Sequence, residues 1–535
     1  MSAAREGPDL LAPRVRRSVR AVAAPWAWPV LLAAAVWIGL FHGLGAVPLF
    51  DVDEGAFGEA TREMLARGDY VSTWLNGQPR FDKPILTYWL QAASVRLFGL
   101  DEFALRLPSA LAATAWIGAI YTLTRQVLDR DTARAAAFIA ATSSGVVVIG
   151  RGAIADALLN LFLALALFDV YRELVDPRPR WRRRAFLWIA LGLLTKGPVA
   201  LLVPAAAGAF AFGLQGRMAS WWRAVRDPVG WLILLAVAGP WYALEYAARG
   251  DAFLAGFFMR HNVERFLVPL QGHGGNPFFY LPAVLLLVLP YTGLLLATLP
   301  GLRRLRATPL DTLLWCWFLF VLGFFTLAGT KLPHYLLYGA TPLFILMARR
   351  RHALRSRVAA LLPALLLLAA VAALPHLLRR AAPGAPNAYV REALARVDVF
   401  DAAWHAQALA LLAGVLLLAS WPRRSGAGAP WPRLVAAALA CSYALGGLLL
   451  PAVAELQQGP VKRAALLARQ AGWPVRSWRI NVPSFSVYRG AVTPAANAPR
   501  AGDVILTRSD ALPGLPAPVR VLFREGGVLL VRIEG

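Results

Sequence analysis

Apolar residues in this chain gather into runs long enough to cross a bilayer, separated by polar stretches, rather than alternating with polar residues. The runs fall near 26–46, 104–125, 133–150, 154–171, 184–195, 198–215, 229–247, 278–300, 310–328, 332–348, 358–378, 404–421 and 431–451. A helix needs roughly 20 residues to span the hydrocarbon core, where no water is present to pair with exposed backbone amides. The pattern predicts an all-α polytopic membrane protein of about thirteen transmembrane helices.

Two connections are long, 47–103 and 248–277. In the first, Phe57, Ala60, Thr61, Met64 and Leu65 share one helical face, with Glu59, Arg62, Glu63 and Arg67 largely opposite. That spacing predicts an amphipathic helix on the membrane surface. Pro84 opens a second such helix, with Ile85, Leu86, Trp89, Ala93 and Leu97 toward lipid. Beyond Pro451 the pattern changes. VKRAALLARQAG reads as a short helix, while PVRSWRI, DVILTR, PVRVLF and VLLVRI read as strands between Pro and Gly turns. The expected organisation is a membrane domain over 1–453 and a small soluble α/β domain over 454–535, with no catalytic constellation in the latter.

Composition agrees, since 58% of the 535 residues are hydrophobic. The net charge of +25 does not imply a nucleic-acid partner, because the basic residues cluster between apolar runs instead of covering one solvated face. Those clusters set the orientation. Arg14, Arg16, Arg17 and Arg20, then Arg178 to Arg184, Arg217 to Arg226, Arg303 to Arg306, Arg349 to Arg357, and Arg423 with Arg424 occupy every second connection. The positive-inside rule makes these cytoplasmic and the long connections and tail external. The basic N-terminus and the run after it resemble a signal peptide, but the run is long enough to span and lacks a small-residue cleavage site, so it is expected to be the first span. Cys316 and Cys441 sit inside apolar runs and read as core residues.

Candidate chemistry lies in the external connections. Only four of the 55 basic residues are lysines, and Lys83, Lys196 and Lys331 fall in external DKP, TKG and TKLPHY. A lysine is a point charge suited to a single phosphate oxygen, whereas arginine prefers planar two-point partners. The three either bind a phosphate-bearing ligand or snorkel to the interface. Asp51, Asp53, Glu54, Glu59 and Glu63 gather at the start of the first connection. Asp53, close to the interface, is either a general base or the N-cap of the helix that follows. Asp156 sits inside the start of a span, where a carboxylate is expensive unless paired or functional, and Arg151 is its nearest partner in sequence. In RHNVERF, His261 with Asp82 either holds a divalent metal or joins a hydrogen-bonded network. Tyr335 either donates to a phosphate oxygen or is an interfacial aromatic.

Together these segments resemble the bacterial protein O-mannosyltransferase and aminoarabinose transferase superfamily, membrane glycosyltransferases of the GT-C type. VDEGAFGEATREMLARGDYV, LNGQPRFDKPILTYWLQAASVRLFG, IADALLN, LLTKGPVA, RHNVERF, NPFFYLPA and TKLPHYLL follow in the family's order and cover most of 45–350. Within it, the chain looks most like the transferase that moves 4-amino-4-deoxy-L-arabinose from undecaprenyl phosphate to lipid A. The resemblance implies Asp53 at the reacting centre with Glu54 beside it, Asp156 as a second carboxylate, and Lys83 and Tyr335 on the carrier phosphate; the rare-lysine pattern adds Lys196 and Lys331, and RHNVERF adds Arg265, as further candidate phosphate ligands. The sequence departs from that transferase in Asp82, where it has glutamate, and in HN, where it has Glu-His. The implied partners are a polyprenyl-phosphate sugar donor, lipid A or another envelope acceptor, and membrane lipids; no nucleotide is used, and the one implied cofactor is a divalent metal. The alternatives are a transferase acting on protein or another glycan, or a lipid-linked sugar transporter. The last expects related halves and charged midplane features, for which the sequence offers no repeat.

Overall fold

The computed structural model describes residues 27–268, 274–421, 430–516 and 518–534. Arg14, Arg16, Arg17, Arg20, Arg423 and Arg424 lie outside the described residues. All thirteen apolar runs are helical over most of their length, which makes this a mostly helical, multi-span membrane protein. Six helices among the described residues are long and apolar enough to cross alone, and eight do so if each bent pair is one span. The shortfall from about thirteen has local causes. Pro179–Lys196 starts with arginines, and Asp156–Val175 carries Asp156, Asp169, Arg172 and Glu173. Ala340–Arg350 is short because the turn before it, Pro333–Gly339, is a 3-10 helix. Arg130–Thr142 and Ser144–Gly150 meet at 60°, and Tyr280–Leu287 and Thr292–Arg304 at 115°.

The four strands form in the segments read as strands between Pro and Gly turns, at Val475–Ser477, Val504–Arg508, Val519–Glu525 and Val528–Ile533. The first two pair in parallel, and the last two complete a sheet in which Val528–Ile533 lies between Val504–Arg508 and Val519–Glu525. The short helix expected before them is instead the end of a 40-residue helix, Trp431–Gln470, so a boundary at 453/454 falls inside one continuous element. Pro451 does not break it. A π-helical stretch, Ala444–Leu449, already interrupts the hydrogen-bond ladder just before the proline, so its missing N–H removes little.

The tail also changes the reading of the first connection. Helix Asp53–Arg67 has the predicted apolar face, but Glu59 and Glu63 on the opposite face are 0% and 1% exposed. The helix does not lie on a membrane surface with its polar face in water. Helix Ser484–Arg489 of the tail packs on it, and the buried carboxylates are satisfied within the helix by Arg62 and Arg67. Helix Leu86–Phe98 fits its expectation better: Trp89, Ala93 and Leu97 are exposed, although Ile85 just before it is buried.

Candidate active site

The loop before helix Asp53–Arg67 is clamped from both sides. Arg106 reaches it from helix Glu102–Val127, donating to Glu54 at 2.6 and 2.8 Å and to the carbonyls of Leu44, Val47 and Pro48 at 2.5–3.0 Å. Asp51 accepts from the Ser484 backbone N–H at 2.9 Å and from its hydroxyl at 2.5 Å. Gly55 makes this approach possible, since a Cβ there would meet Asp51 Oδ1 at 2.0 Å. Glu54 also accepts from the Phe50 and Ala153 N–H groups, and Glu63 takes Arg67 and the Gly77 N–H. Asp53 differs from all of these. Among the described residues it has no hydrogen-bond or ion-pair partner and is exposed at the first position of its helix, where the helix dipole favours a carboxylate. Val52, not Asp53, holds the N-cap position, and no side chain caps it. The capping alternative for Asp53 is therefore not the one the structure shows.

A hairpin brings cations toward this carboxylate. Strands Trp74–Leu75 and Gln78–Pro79 are joined by Asn76 and Gly77, with φ of 52° and 80°, the left-handed pair of a tight hairpin turn. The chain leaving it carries Arg80, Asp82 and Lys83. Asp82 collects three cations and an imidazole: Lys83 Nζ at 2.6 Å, Arg80 Nη2 at 3.0 Å, Arg265 Nη1 at 3.6 Å and His261 Nδ1 at 3.2 Å. Burial disfavours its charge, yet Lys83, Arg80 and His261 hold the carboxyl well below its ordinary range. Burial, then the nearby Lys196 and Arg265, push the Lys83 ammonium down to about 8 against the pull of Asp82. His261 is likewise lowered, chiefly by burial, against the same pull. His261 and Arg265 come from the π-helical stretch Leu254–Glu264 and the turn after it.

Asp82, Lys83, His261 and Arg265 border a cavity of about 440 Å³, with Arg80 behind Asp82. Its far wall carries Tyr335 and Tyr338 on the 3-10 helix Pro333–Gly339, anchored where Trp317 Nε1 donates to the Tyr338 carbonyl at 2.5 Å. The Arg265 guanidinium stands 5.9 Å from the Tyr335 ring centroid. Several donors here are unspent. Arg80 Nη1 and Arg265 Nε are buried without a partner among the described residues, and the Tyr335 hydroxyl has none either. Lys196 enters as the last residue of its helix, which Gly197 ends at φ 77°. It donates to Asp156 at 2.7 Å, and the Tyr338 hydroxyl donates to the same oxygen at 2.7 Å, with His334 Nε2 at 3.7 Å. Asp53 lies within electrostatic reach of Arg80, Tyr88 and His334.

The structure thus brings Asp82, Lys83, Lys196, His261, Arg265 and Tyr335 to one cavity, with Asp156 behind it and Asp53 within electrostatic reach. Lys331 stands apart: its ammonium donates to the carbonyls of Thr326 and Ala328 at the end of helix Pro309–Leu327. Glu54 is paired with Arg106 at 2.6 and 2.8 Å, unlike the unpaired Asp53 beside it. Asp156 is partnered by Lys196 and Tyr338, not by Arg151. Arg80 and Tyr338 were missed by sequence reasoning, although Arg80 stands two residues before Asp82 in a segment already singled out. Asp82 and His261 do touch, but they do not fit a divalent ion. Asp82 Oδ1 already takes Lys83, cations crowd it, and no cluster of three His, Cys, Asp or Glu side chains exists among the described residues.

Comparison with known proteins bears on this geometry. Residues 82–243 match the family described as dolichyl-phosphate-mannose-protein mannosyltransferase. The chain is 31% identical over 342 residues to the undecaprenyl phosphate-alpha-4-amino-4-deoxy-L-arabinose arabinosyl transferase of Serratia proteamaculans, covering 62% of this chain and 61% of that one. It is 33% identical over 306 residues to the Yersinia enterocolitica protein so described, covering 56% and 55%. The matches span less than two thirds of these relatives' length. The crystal structure of ArnT from Cupriavidus metallidurans bound to undecaprenyl phosphate superposes with a TM-score of 0.76 at 21% identity, covering 95% of this chain and 98% of that one. At that identity the likeness is one of fold.

Proposed function

We propose that this chain, a relative of the aminoarabinose transferases and of the dolichyl-phosphate-mannose mannosyltransferase family, is a GT-C glycosyltransferase. It moves 4-amino-4-deoxy-L-arabinose or a closely related sugar from undecaprenyl phosphate to lipid A or another envelope acceptor. The observation that carries this reading is the cavity itself: among the described residues Lys83, Arg265 and Lys196 on its wall have only Asp82 and Asp156 as carboxylate partners, and a buried Arg265 donor is left unspent near a tyrosine hydroxyl with no partner. That is an environment for a phosphate. The motif order and the relatives' printed activity support the sugar and carrier. The arginine clusters support an inner-membrane protein with a cytoplasmic N-terminus and a periplasmic site and tail.

In the reaction, an acceptor oxygen attacks the anomeric carbon, the bond from that carbon to the carrier phosphate breaks, and polyprenyl phosphate departs with the bonding electrons. Asp53 is the unpaired carboxylate available to take the acceptor proton. Lys83, Arg265 and Tyr335 hold the phosphate as its charge grows. Asp156 acts through Lys196, fixing the ammonium at the cavity wall. No step passes through a metal, because Asp82 and His261 are committed to the cation cluster. The test is transfer by the purified chain in proteoliposomes containing undecaprenyl-phosphate aminoarabinose and lipid A. Lipid A should gain the mass of the sugar as free undecaprenyl phosphate appears. Donor moved across the membrane intact, with no such release, would show a transporter instead.

A further inference from the structure

Helix Pro179–Lys196 brings Lys196, its last residue, to the cavity assigned to the carrier phosphate, and its first turns, about 20 Å away, border a separate cavity of about 100 Å³. The walls of this second space are apolar, built from Val170, Ala185, Ile189, Leu201, Pro204 and Phe212. Its roof is helix Met218–Val225, which packs on helices Asp156–Val175, Pro179–Lys196 and Val199–Leu214. The roof is held in two places. Trp221 seats on Gly208, where a Cβ would stand 2.6 Å from its ring, and Trp231 Nε1 donates to the Val225 carbonyl at 2.8 Å. An apolar cavity of this order stays dry and accepts hydrocarbon. Arg182 and Ile189 both line it, two helical turns apart, so it reaches about 10 Å inward from the guanidinium level.

The charges at its mouth do not balance. The carboxylates there are engaged already, Glu173 by Arg182 at 3.3 Å and the Arg178 N–H at 2.9 Å, and Asp227 by Arg182 at 2.5 Å and Arg183 at 3.4 Å. Arg223 on the roof helix and Arg226 just after it are exposed and, among the described residues, have no carboxylate partner. Arg223 precedes the lining residue Ala224 and stands within electrostatic reach of Glu173 on the cavity wall. The Arg226 guanidinium lies 5.6 Å from the Trp222 ring centroid. Trp222 and Trp231 are 50% and 40% exposed, so the mouth opens outward beside the amphipathic rings that settle at the headgroup level of a bilayer. Surplus positive charge at that level, directly over an apolar recess, suits a lipid whose headgroup carries net negative charge.

We propose that this recess binds one anionic phospholipid, its phosphate against Arg223 and Arg226 and the upper methylenes of one acyl chain inside the cavity. The site is separate from the sugar-transfer reaction, and its test needs no turnover. Native mass spectrometry of the full chain would be run with dioleoyl phosphatidylglycerol and dioleoyl phosphatidylethanolamine as probes. The unmodified chain should hold phosphatidylglycerol at least about tenfold more tightly than the zwitterionic lipid, since each arginine near the surface contributes about fivefold. Arg223→Gln with Arg226→Gln should abolish that preference, and Arg223→Lys with Arg226→Lys should keep most of it. Arg303→Gln with Arg304→Gln, at another exposed arginine pair, should change it by less than about twofold. Ala205→Phe, which fills the cavity, should weaken both diacyl lipids about tenfold while leaving undecaprenyl phosphate binding within about twofold. An unmodified chain without the preference overturns the assignment, as does a preference that survives the glutamine pair at Arg223 and Arg226. Equal loss with the pair at Arg303 and Arg304 overturns it too, by reducing the effect to general surface charge, and undiminished lipid binding by Ala205→Phe removes the acyl chain from the cavity.

Discussion

Two ends of this molecule use carboxylates and cations in opposite ways. At the arginine-rich end, Asp169 takes Arg172 at 2.8 Å, Arg184 at 3.1 Å and Trp188 Nε1 at 3.0 Å. Nearby, Asp227 takes Arg182 at 2.5 Å and caps helix Pro228–Arg249 through the N–H groups of Val229 and Gly230. Every acceptor site there is filled, and what the cluster accomplishes is to join helix ends. At the lysine-bearing end, among the described residues, Asp53 is unfilled, the Tyr335 hydroxyl has no partner, and Arg265 keeps a buried donor unspent. The contrast lies in the carboxylates, because buried guanidinium donors are left unspent at both ends, Arg183 Nε at one and Arg265 Nε at the other. The filled end uses arginine forks, while the open end adds two lysine point charges to Arg80 and Arg265.

That contrast breaks most visibly at Asp53. Asp53→Asn should lower transfer by about a thousandfold, within the range for loss of a general base, with the thermal midpoint unchanged because nothing is bonded to the side chain. Sugar transfer and a melting curve on the same preparation decide it; near-normal turnover removes Asp53 from the mechanism. Next, Lys83→Gln should weaken undecaprenyl phosphate binding by about a hundredfold, as expected for loss of a charge-assisted contact of roughly 2–3 kcal/mol. A smaller effect comes from pH. The Lys83 ammonium is depressed to about 8 in the free protein, so it is charged below that pH and increasingly neutral above it. Carrier affinity should be flat below about 8 and fall by up to tenfold for each further pH unit, and a titration of carrier binding from pH 6.5 to 9.5 measures it. The smallest effect should lie at the other end. Asp169→Asn should cost about 1–2 kcal/mol of stability, since its arginine partners are partly exposed and recover solvent, and should leave transfer per folded molecule unaltered. A transfer defect larger than the stability loss would blur the distinction between the two ends.

How much of this was legible in the sequence depended on distance along the chain. Apolar runs and strand segments between Pro and Gly turns are local, and the helices and the four tail strands appeared where those patterns lie. The motif segments likewise identified most of the cavity, because DKP, TKG and RHNVERF each carry their chemistry within a few residues. What failed depended on remote partners. The polar face of Asp53–Arg67 read as solvated because nothing nearby in sequence shows that Ser484–Arg489 covers it. Arg151 looked like the partner of Asp156 from five residues away, whereas Lys196 and Tyr338 arrive from 40 and 182 residues on. Lys331 lies in the connection where it was expected but turns its ammonium onto the carbonyls of Thr326 and Ala328, a choice of rotamer that composition cannot encode.

The helix Trp431–Gln470 gives the tail a fixed angular phase as well as a position. At about 1.5 Å per residue its 40 residues run roughly 60 Å, twice the thickness of a hydrocarbon core, so it projects well beyond any bilayer it crosses. Each residue added to or removed from it turns everything downstream by about 100°. Ser484 meets Asp51, and Lys462 meets Glu102 at 2.5 Å, only at one setting of that rotation. The tail and the loop before helix Asp53–Arg67 are therefore geared together, and a tail from a relative could be exchanged only in register with its own shaft.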